Sequence, residues 1–321
     1  MRVRAFAKIN LSLRVLGTRP DGFHELRTLF QSIALHDTLT VRRRRGTFQL
    51  TSDDRRLPVD GRNLIVRAAR AVWKASGRSG SPRDVRIDLV KRIPLEAGLG
   101  GGSSDAVAAL RALGRLWRVD EARLRAIAPT LGADVPYFME GGTVLGLERG
   151  DVLVPQPDHP SAWVVLALPD FGVSTRDAYA WWDASASGKQ YVASAFRRTG
   201  VGPAEAGPHV QKAAYVNDLQ KEVAKRHPAI ARIVTALRRA GASHAAMSGS
   251  GSAVFGLFAR RSDATRAARA VSAGLCPRTL VTRTLSRAAC RRERPGLGPF
   301  SPDSRHAPAT SRRARTGLAA K

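Results

Sequence analysis

Residues 94–105 combine glycines, hydroxyls and a carboxylate in an order that could bind phosphate. The segment reads Pro-Leu-Glu-Ala-Gly-Leu-Gly-Gly-Gly-Ser-Ser-Asp. Glycine gives up backbone entropy on folding, so four glycines in five positions indicate a loop whose bare N–H groups must approach an anion closely. Ser103, Ser104 and Asp105 are predicted to begin the next helix, and a helix N-terminus attracts phosphate through unpaired N–H groups and the helix dipole. The segment is therefore predicted to be an anion-binding loop.

The sequence on both sides of this loop supports that interpretation. Residues 85–90 alternate like a strand, and residues 105–117 carry apolar side chains at helical spacing. The loop lacks the Gly-Lys-Ser/Thr ending of a Walker A loop. Gly98, Gly100 and Ser103 match a dinucleotide fingerprint only weakly, because they lie 100 residues into the chain. A flexible linker is the bland alternative, but a linker would not need strand and helix signals against both of its ends.

Two polar side chains near the start of the chain are candidates for the same site. Residues 2–15 alternate like a strand, which places Lys8 and Asn10 on one side of it. By spacing alone, Lys8 is more often a solvent-exposed strand lysine. A polar loop follows and returns Phe23 and His24 just before an apolar strand, so His24 is a better ligand candidate than an average histidine.

Later segments carry three further candidates. Asp134 lies two residues before Pro136, which favours a helix N-cap with proline in the first turn, although a capping carboxylate can still direct its free oxygen into a cleft. A loop beginning at Val173 delivers Thr175 and Tyr179. Residues 247–252 form a second glycine-serine loop, which by itself could be only a tight turn.

The remaining pattern divides the chain into two domains and a tail. The proline-rich residues 154–160 are interpreted as a hinge, so we expect domains at 1–157 and 158–286. Residues 183–213 lack periodicity and are expected to be a variable surface insertion. Residues 287–321 lose the apolar pattern and are expected to be a disordered tail. Helical spacing also predicts helices at 63–76, 121–127 and 227–240, and the apolar and glycine patterns predict a strand at 163–168 and a hairpin at 141–150.

Composition excludes several classes of protein. With 321 residues, of which 43% are hydrophobic, the chain can build one large or two ordinary globular cores. No apolar run reaches the length of a membrane span, and the N-terminus lacks the apolar core of a signal peptide, so we expect a soluble, cytoplasmic protein. Cys276 and Cys290 have no partner motif, which argues against a disulfide framework and against a zinc site.

The net charge of +27 is the one feature that favours nucleic acid as a partner. Its distribution weakens that interpretation: nine lysines and arginines in residues 287–321, against Glu293 and Asp303, contribute +7, and much of the rest is scattered arginine. An anionic nucleotide substrate would also favour a positive surface. Aromatic residues make up only 6% and do not alternate with basic ones, so a nucleic-acid-binding module stays as the weaker alternative, and we expect no specific nucleic acid and no membrane as partners.

Three separated segments together resemble the GHMP kinase family, which contains galactokinase, homoserine kinase and mevalonate kinase. They are Ala-Lys-Ile-Asn-Leu at 7–11, the loop at 94–105 and Ser-Gly-Ser-Gly-Ser at 248–252. The resemblance covers about residues 2–285. It implies an α/β (α+β) fold of two domains, with the site in the cleft between them. The N-terminal domain would be ribosomal-protein-like with a left-handed crossover, and the C-terminal domain would be ferredoxin-like.

The resemblance also implies a substrate. Residues 22–26, 30–31, 132–138 and 217–219 are similar to the family members that act on a cytidine-diphosphate-linked methylerythritol. ATP would phosphorylate the 2-hydroxyl of this small molecule, in the non-mevalonate route to isoprenoid precursors, while Mg²⁺ and the loop N–H groups neutralise the phosphates. A monomer and a homodimer are both compatible with the family.

The roles of individual residues follow from the matched motifs. Lys8 and Asp134 would be the catalytic pair, with the carboxylate taking the proton of the alcohol. The ATP loop would comprise Pro94, Leu95, Glu96, Ala97, Gly98, Leu99, Gly100, Gly101, Gly102, Ser103 and Ser104. The substrate pocket would be lined by Asn10, Phe23, His24, Thr175 and Tyr179, with the aromatic rings sandwiching cytosine.

Three departures from the family pattern involve four residues. Glu96 and Ala97 stand where many relatives carry glycine or another small residue, and Gln220 stands where glutamate is usual. Phe23 replaces a common tyrosine and keeps the stacking face without the hydroxyl. Another small alcohol is the alternative substrate within the family, but such an alcohol would have no use for the rings of Phe23 and Tyr179.

Overall fold

The long strand pair at the start of the chain is the frame of the first sheet. The computed structural model describes residues 1–185 and 215–292. Strand β1 (Arg2–Thr18) pairs antiparallel with β2 (His24–Thr47). The sheet is completed by β3 (Gln49–Ser52), β4 (Arg83–Val90), β5 (Thr143–Glu148) and β6 (Val152–Pro155), in the order β3-β4-β2-β5-β6 with β1 on β2. The hairpin predicted at 141–150 is present as β5 and β6, but its second strand lies beyond the predicted range.

Four helices pack against this sheet. They are α1 (Leu64–Ala75), α2 (Gly101–Trp117), α3 (Glu121–Leu131) and α4 (Val135–Glu140). The predicted helix at 63–76 is confirmed, because Asn63 caps α1 by accepting a hydrogen bond from the N–H of Ile65. Helix α1 connects the parallel strands β3 and β4. The left-handed sense of the crossover stays a prediction.

The second sheet has the ferredoxin-like arrangement that the resemblance implies. Its strands β7 (Trp163–Ala167), β8 (His244–Met247), β9 (Val254–Phe258) and β10 (Thr279–Arg283) lie in the order β10-β7-β9-β8, and all neighbours are antiparallel. Between β7 and β8 come α5 (Thr175–Asp183), α6 (Gln220–Arg226) and α7 (Ala229–Arg239), and α8 (Arg261–Gly274) joins β9 to β10. Each sheet thus has helices to cover its apolar face.

Strand β1 lies where the two sheets meet. Ala7, Ile9 and Leu11 share a buried apolar cluster with Val164 of β7 and Phe255 of β9. Both faces of β1 are consequently buried along this stretch: Lys8 is 4% exposed and Asn10 is 2% exposed. The interpretation of Lys8 as a solvent-exposed strand lysine is therefore wrong. A buried lysine must be paired or hydrogen-bonded, which directs attention to its partners.

Several predicted boundaries differ from the structure. Residues 175–179, predicted to lie in a loop, form the start of α5, because Ser174 caps it by accepting from the N–H of Asp177. The helix predicted at 227–240 begins only at Ala229, after the separate helix α6. Helix α3 continues past Ile127 to Leu131, through Pro129. The expected domain boundary at 157/158 lies between β6 and β7, and it stays a prediction.

The tail expected at 287–321 is structured at its start. Residues Arg287–Arg292 form a short helix, α9. Ala289 and Cys290 are buried there against Phe6 and Leu285, since the small apolar side chains of this turn fill a gap beside β1. Residues 293–321 lie outside the described part of the chain, as do residues 186–214, which include most of the insertion expected at 183–213. Within the described ranges, no helix is long and apolar enough to cross a membrane.

Candidate active site

A cleft of about 920 Å³ opens between the two sheets. It collects side chains from strand β1, the glycine loop, the start of α4, helix α5 and the second glycine-serine loop. Its lining includes the predicted residues Lys8, Asn10, Phe23, His24, Asp134, Thr175 and Tyr179, and residues 94–103 of the loop. The structure thus brings together almost every residue predicted for the site; Ser104 is instead buried, with its hydroxyl donating to the carbonyl of Phe6.

The glycine loop follows the path that its composition predicts. Gly98 and Gly100 both have φ of +70°, a conformation that side chains rarely adopt. A Cβ atom on Gly100 would lie 2.6 Å from the ring of Phe138 and 3.2 Å from Cε of Lys8. Helix α2 begins at Gly101, two residues before the predicted start, and its N-cap Gly100 offers no capping side chain. The first N–H groups of α2 are therefore left for an anion.

The ammonium of Lys8 connects the loop region to Asp134. Lys8 Nζ lies 3.5 Å from Oδ2 of Asp134 and donates to Oδ1 of Asn10 at 2.6 Å. Asp134 occupies the N-cap position of α4, as its spacing before Pro136 predicts, but its side chain makes no capping hydrogen bond. That side chain is 37% exposed, in the cleft. The carboxylate is therefore available to a ligand rather than engaged in holding the helix.

A hydrogen-bonded chain fixes the amide of Asn10. Its Nδ2 donates to Oγ1 of Thr28 at 2.7 Å, and the hydroxyl of Thr28 donates to the carbonyl of Ser12. This arrangement leaves Oδ1 of Asn10 facing Lys8. Thr28 was missed in the sequence, although a polar residue directly before an apolar strand was a usable signal.

The second glycine-serine loop belongs to the same site. Ser248 donates its hydroxyl to the carbonyl of Gly98 at 2.9 Å and accepts from the N–H of Asn10 at 3.3 Å. A Cβ atom on Gly98 would lie 2.0 Å from the carbonyl oxygen of Ser248, so the two loops touch through their backbones. The sequence left open whether residues 247–252 were only a tight turn; their contacts show that they support the first loop.

The aromatic end of the cleft differs from the expected sandwich. The rings of His24 and Tyr179 stack on each other with centroids 4.5 Å apart and an interplanar angle of 26°, so no base fits between them. His24 Nε2 also contacts Oδ1 of Asp183 at 2.8 Å. Phe23 is 54% exposed, with the guanidinium of Arg149 over its ring at 5.2 Å. A base can stack on the open face of Phe23 or of the closed pair, but not inside that pair.

Three hydroxyl-bearing residues complete this end. Thr175 Oγ1 lies 3.2 Å from Oγ of Ser250, which joins helix α5 to the second glycine-serine loop. Burial and the nearby charge of Asp134 raise the pKa of Tyr179, so its phenol stays neutral at physiological pH. Asp183 and Ser250 were not predicted. Asp183 falls in the expected insertion, where the lack of periodicity hid the last turn of α5.

A buried charge cluster that the sequence did not predict lies beneath the start of α2. Lys91 Nζ contacts Oδ2 of Asp105 at 3.0 Å and also binds Asp37. A Cβ atom on Gly101 would lie 3.1 Å from the same ammonium. Burial and the charge of Asp37 raise the pKa of Asp105 well above its usual range, although Lys91 opposes the shift. The cluster anchors the first turn of the helix that the glycine loop enters.

The structure shows how Glu96 and Gln220, which depart from the family pattern, are accommodated. Glu96 has φ of +51°, in the left-handed region where glycine is favoured, so the loop keeps the glycine-like backbone with a larger side chain. Gln220 accepts a hydrogen bond from the N–H of Met247 through Oε1 at 2.8 Å. An amide oxygen and a carboxylate oxygen can both fill that acceptor role.

The chain is similar to known kinases along most of its length. Residues 63–142 match the family model of the GHMP kinases N terminal domain, and residues 204–275 match that of the GHMP kinases C terminal. The 4-diphosphocytidyl-2-C-methyl-D-erythritol kinase of Solibacter usitatus is 43% identical, over 90% of this chain and 92% of that protein. The enzyme of the same name from Moorella thermoacetica is 41% identical, over 88% of this chain and 98% of that protein.

Solved structures of kinases are also similar to this chain. A crystal structure of 4-(cytidine 5'-diphospho)-2C-methyl-D-erythritol kinase is 34% identical, with a TM-score of 0.71 over 88% of this chain and 99% of that one. The homoserine kinase from Cytophaga hutchinsonii is 22% identical, with a TM-score of 0.63 over 89% of this chain and 95% of that one, and shares the fold.

Proposed function

Since the chain belongs to the GHMP kinase family, we propose that it transfers a phosphate from ATP to the 2-hydroxyl of 4-diphosphocytidyl-2-C-methyl-D-erythritol. Relatives that carry this name are about 40% identical over most of their length, and a solved structure of the same name shares the fold. The proposal makes the chain a phosphotransferase with an alcohol acceptor, in the non-mevalonate route to isoprenoid precursors.

The contact between Lys8 and Asp134 carries this proposal within the cleft. Phosphoryl transfer needs the acceptor hydroxyl and the γ-phosphate to be held in line, and a group to take the hydroxyl proton. Asp134 supplies a carboxylate without a capping partner, and Lys8 supplies an ammonium 3.5 Å from it. Both lie beside the loop whose glycines leave the N–H groups of α2 open. Donor and acceptor sites thus share one cleft.

Each group in the cleft has its own role in the proposed reaction. The loop at 94–104 and the first turn of α2 bind the ATP phosphates through N–H groups. The ammonium of Lys8 holds the 2-hydroxyl and stabilises the charge that develops on the transferred phosphoryl group. Asp134 accepts the proton as the oxygen attacks phosphorus. Asn10, held by Thr28, fixes the position of the Lys8 ammonium through its Oδ1.

Mg²⁺ would enter with the nucleotide. The described ranges, 1–185 and 215–292, hold no group of three His, Cys, Asp or Glu side chains that could ligate a metal. This fits Mg²⁺, which kinases commonly hold through one or two protein groups and the substrate phosphates rather than in a protein cage. Ser103 lines the cleft in the first turn of α2 and is the side chain we propose to contact it. The ion would neutralise phosphate charge.

The cytidine of the substrate would bind at the aromatic end of the cleft. Phe23, His24 and Tyr179 offer stacking faces there, and Thr175 offers a hydroxyl. Because His24 and Tyr179 already stack on each other, cytosine would lie on an open face, with Phe23 as the exposed ring that can close over it.

One assay tests the proposal. Purified protein is incubated with ATP and Mg²⁺, with and without 4-diphosphocytidyl-2-C-methyl-D-erythritol, and ADP release and the phosphorylated product are measured. We expect ADP release that depends on this alcohol. Homoserine and mevalonate serve as controls for the alternative of another small alcohol, and turnover with either of them but not with the cytidine-linked compound would contradict the proposal.

A further inference from the structure

Residues 216–220 connect strand β1 to the second glycine-serine loop. On the β1 side, Leu13 donates its N–H to the carbonyl of Val216 at 2.7 Å, and Asp218 donates its N–H to the carbonyl of Leu13 at 2.9 Å. The carboxylate of Asp218 accepts from the N–H of Val15 at 2.9 Å and from Arg14 Nε at 3.1 Å. The segment is thus attached to the strand that carries Lys8 and Asn10.

On its other side, the segment holds the loop through two side chains. Nδ2 of Asn217 donates to the carbonyls of Met247 and Gly249, both at 2.8 Å, while its Oδ1 accepts from the N–H of Leu219 at 3.0 Å. Asn217 is buried, with 8% exposure. Gln220 accepts from the N–H of Met247. Two carbonyls and one N–H of the loop backbone are therefore fixed from this segment.

The position of Gly249 matters for the reacting groups. A Cβ atom on Gly249 would lie 3.2 Å from Oδ1 of Asn10 and 3.4 Å from Nζ of Lys8, so the loop backbone packs directly against this pair. The preceding residue, Ser248, hydrogen-bonds the carbonyl of Gly98 in the ATP loop. A shift of this loop would therefore displace the ammonium of Lys8 and the phosphate-binding backbone together.

We propose that Asn217 is a positioning residue for phosphoryl transfer, which acts through the 247–252 loop on Lys8 and the ATP loop. The inference rests on the kinase function proposed above. Only a side chain with two donor hydrogens on one nitrogen satisfies the carbonyls of Met247 and Gly249 together, because a carboxylate there would face both oxygens without a proton. At Gln220 the loop needs an acceptor, so glutamine and glutamate fit equally.

The test compares two alanine substitutions in the same segment. Asn217→Ala removes the side-chain hydrogen bonds to the loop, and Asp218→Ala removes only the side-chain hydrogen bonds to Arg14 and Val15 of β1. Displacement of reacting groups by about 1 Å can lower a rate about 100-fold. We expect Asn217→Ala to lower kcat by about 10- to 100-fold with a smaller change in KM for ATP, and Asp218→Ala to keep kcat within about twofold. Circular dichroism and thermal unfolding establish that each variant is folded.

A second pair of variants keeps the inference testable if Asn217→Ala does not fold. Gln220→Met removes the acceptor for the N–H of Met247, while Gln220→Glu keeps one. We expect Gln220→Met to lower kcat and Gln220→Glu to retain it. Normal kcat in folded Asn217→Ala, equal losses in Asn217→Ala and Asp218→Ala, or equal kcat in the two Gln220 variants would overturn the positioning role. An inactive wild-type protein would instead contradict the proposed function.

Discussion

Lys8 Nζ lies 3.5 Å from Oδ2 of Asp134, although one residue belongs to the first strand and the other precedes a short helix late in the same domain. Two interpretations of Asp134, a helix cap and a general base, differ in what its carboxylate should contact. The side chain of a capping aspartate would accept a hydrogen bond from an N–H of α4, but that of Asp134 accepts none. It lies beside the buried ammonium of Lys8 instead, as we would expect if Asp134 is the general base that we propose.

Asp134→Asn should remove activity without unfolding the protein. The amide keeps the shape of the side chain but cannot accept the hydroxyl proton, so we expect kcat to fall by about 10²- to 10⁴-fold. The carboxylate does not cap α4, and the amide oxygen of asparagine can still face the Lys8 ammonium, so the variant should stay folded. Lys8→Met should lower kcat by a comparable factor. The double variant should have a kcat little lower than either single variant, since the effects of residues that act as a unit are not additive. Steady-state kinetics and calorimetry check this, and near-normal kcat in folded Asp134→Asn would exclude the general-base role.

Tyr179→Ala should weaken binding of the cytidine substrate more than binding of ATP. The substitution removes the ring that stacks on His24, and stacking of one base on an aromatic side chain is worth roughly 1–3 kcal/mol. We expect KM for the cytidine-linked alcohol to rise about 5- to 150-fold, with KM for ATP little changed. Tyr179→Phe keeps the ring and is the matched control. Equal increases in both KM values would place Tyr179 elsewhere in the reaction.

Gly100→Ala should damage the phosphate-binding loop beyond the ordinary strain of a left-handed residue. The added methyl group would meet Phe138 at 2.6 Å and Lys8 Cε at 3.2 Å. Gly77→Ala is the control, because Gly77 has a similar φ of +77° and a Cβ added there would meet no atom within 4 Å. Both variants should lose about 1–2 kcal/mol to backbone strain, and only Gly100→Ala should also lower kcat/KM for ATP by about 10-fold or more. Similar kinetics in the two variants would contradict the tight fit at Gly100.

Truncation should separate the two parts of the C-terminal tail. Removing residues 293–321 should leave kcat unchanged, because the segment carries no periodic apolar pattern and no matched motif. Removing residues 287–321 should destabilise the protein by about 1–3 kcal/mol or more, because it exposes the pocket filled by Cys290 and removes the hydrogen bonds of Arg287 to the carbonyls of Thr143 and Gln156. Chemical denaturation measures the difference, and equal stability of the two truncated forms would show that α9 contributes nothing.

His244 should make the protein less stable in mild acid. Burial lowers its pKa from 6.5 to about 4, and the imidazole packs between Tyr215 and Phe255. Between pH 6.5 and 4 the unfolded chain binds a proton that the folded protein excludes, so stability falls as the pH is lowered through this window. Between pH 7 and pH 4.5, the free energy of unfolding of the wild-type protein should fall by up to about 3 kcal/mol because of His244. His244→Phe should not show this part of the fall. An unchanged pH slope in that variant would assign the acid sensitivity to other groups.

Local pattern was enough for many of the elements. The periodicity of residues 63–76 and the cap at Asn63 predict α1 nearly to the residue, because helix formation depends on neighbours within one turn. The predicted boundaries of helices were wrong where tertiary contacts decide whether a segment is helical. Residues 175–179 lack a long apolar stripe, yet they are helical because the buried Ala178 and Trp182 pack into the core of the second sheet.

The sequence by itself determined the glycine loop, the family resemblance and the identity of most cleft residues, because glycine content, side-chain type and spacing are local properties. It could not determine that Lys8 is buried or that Asp134 leaves α4 uncapped, since both depend on which elements pack together. Nor could it show that Ser248 joins the second loop to the first, that Asn217 holds the backbone of the second loop, or that Lys91 binds two aspartates under α2. The contacts between the two loops join residues far apart in the chain, and the burial of apolar side chains between the two sheets brings them within hydrogen-bonding distance.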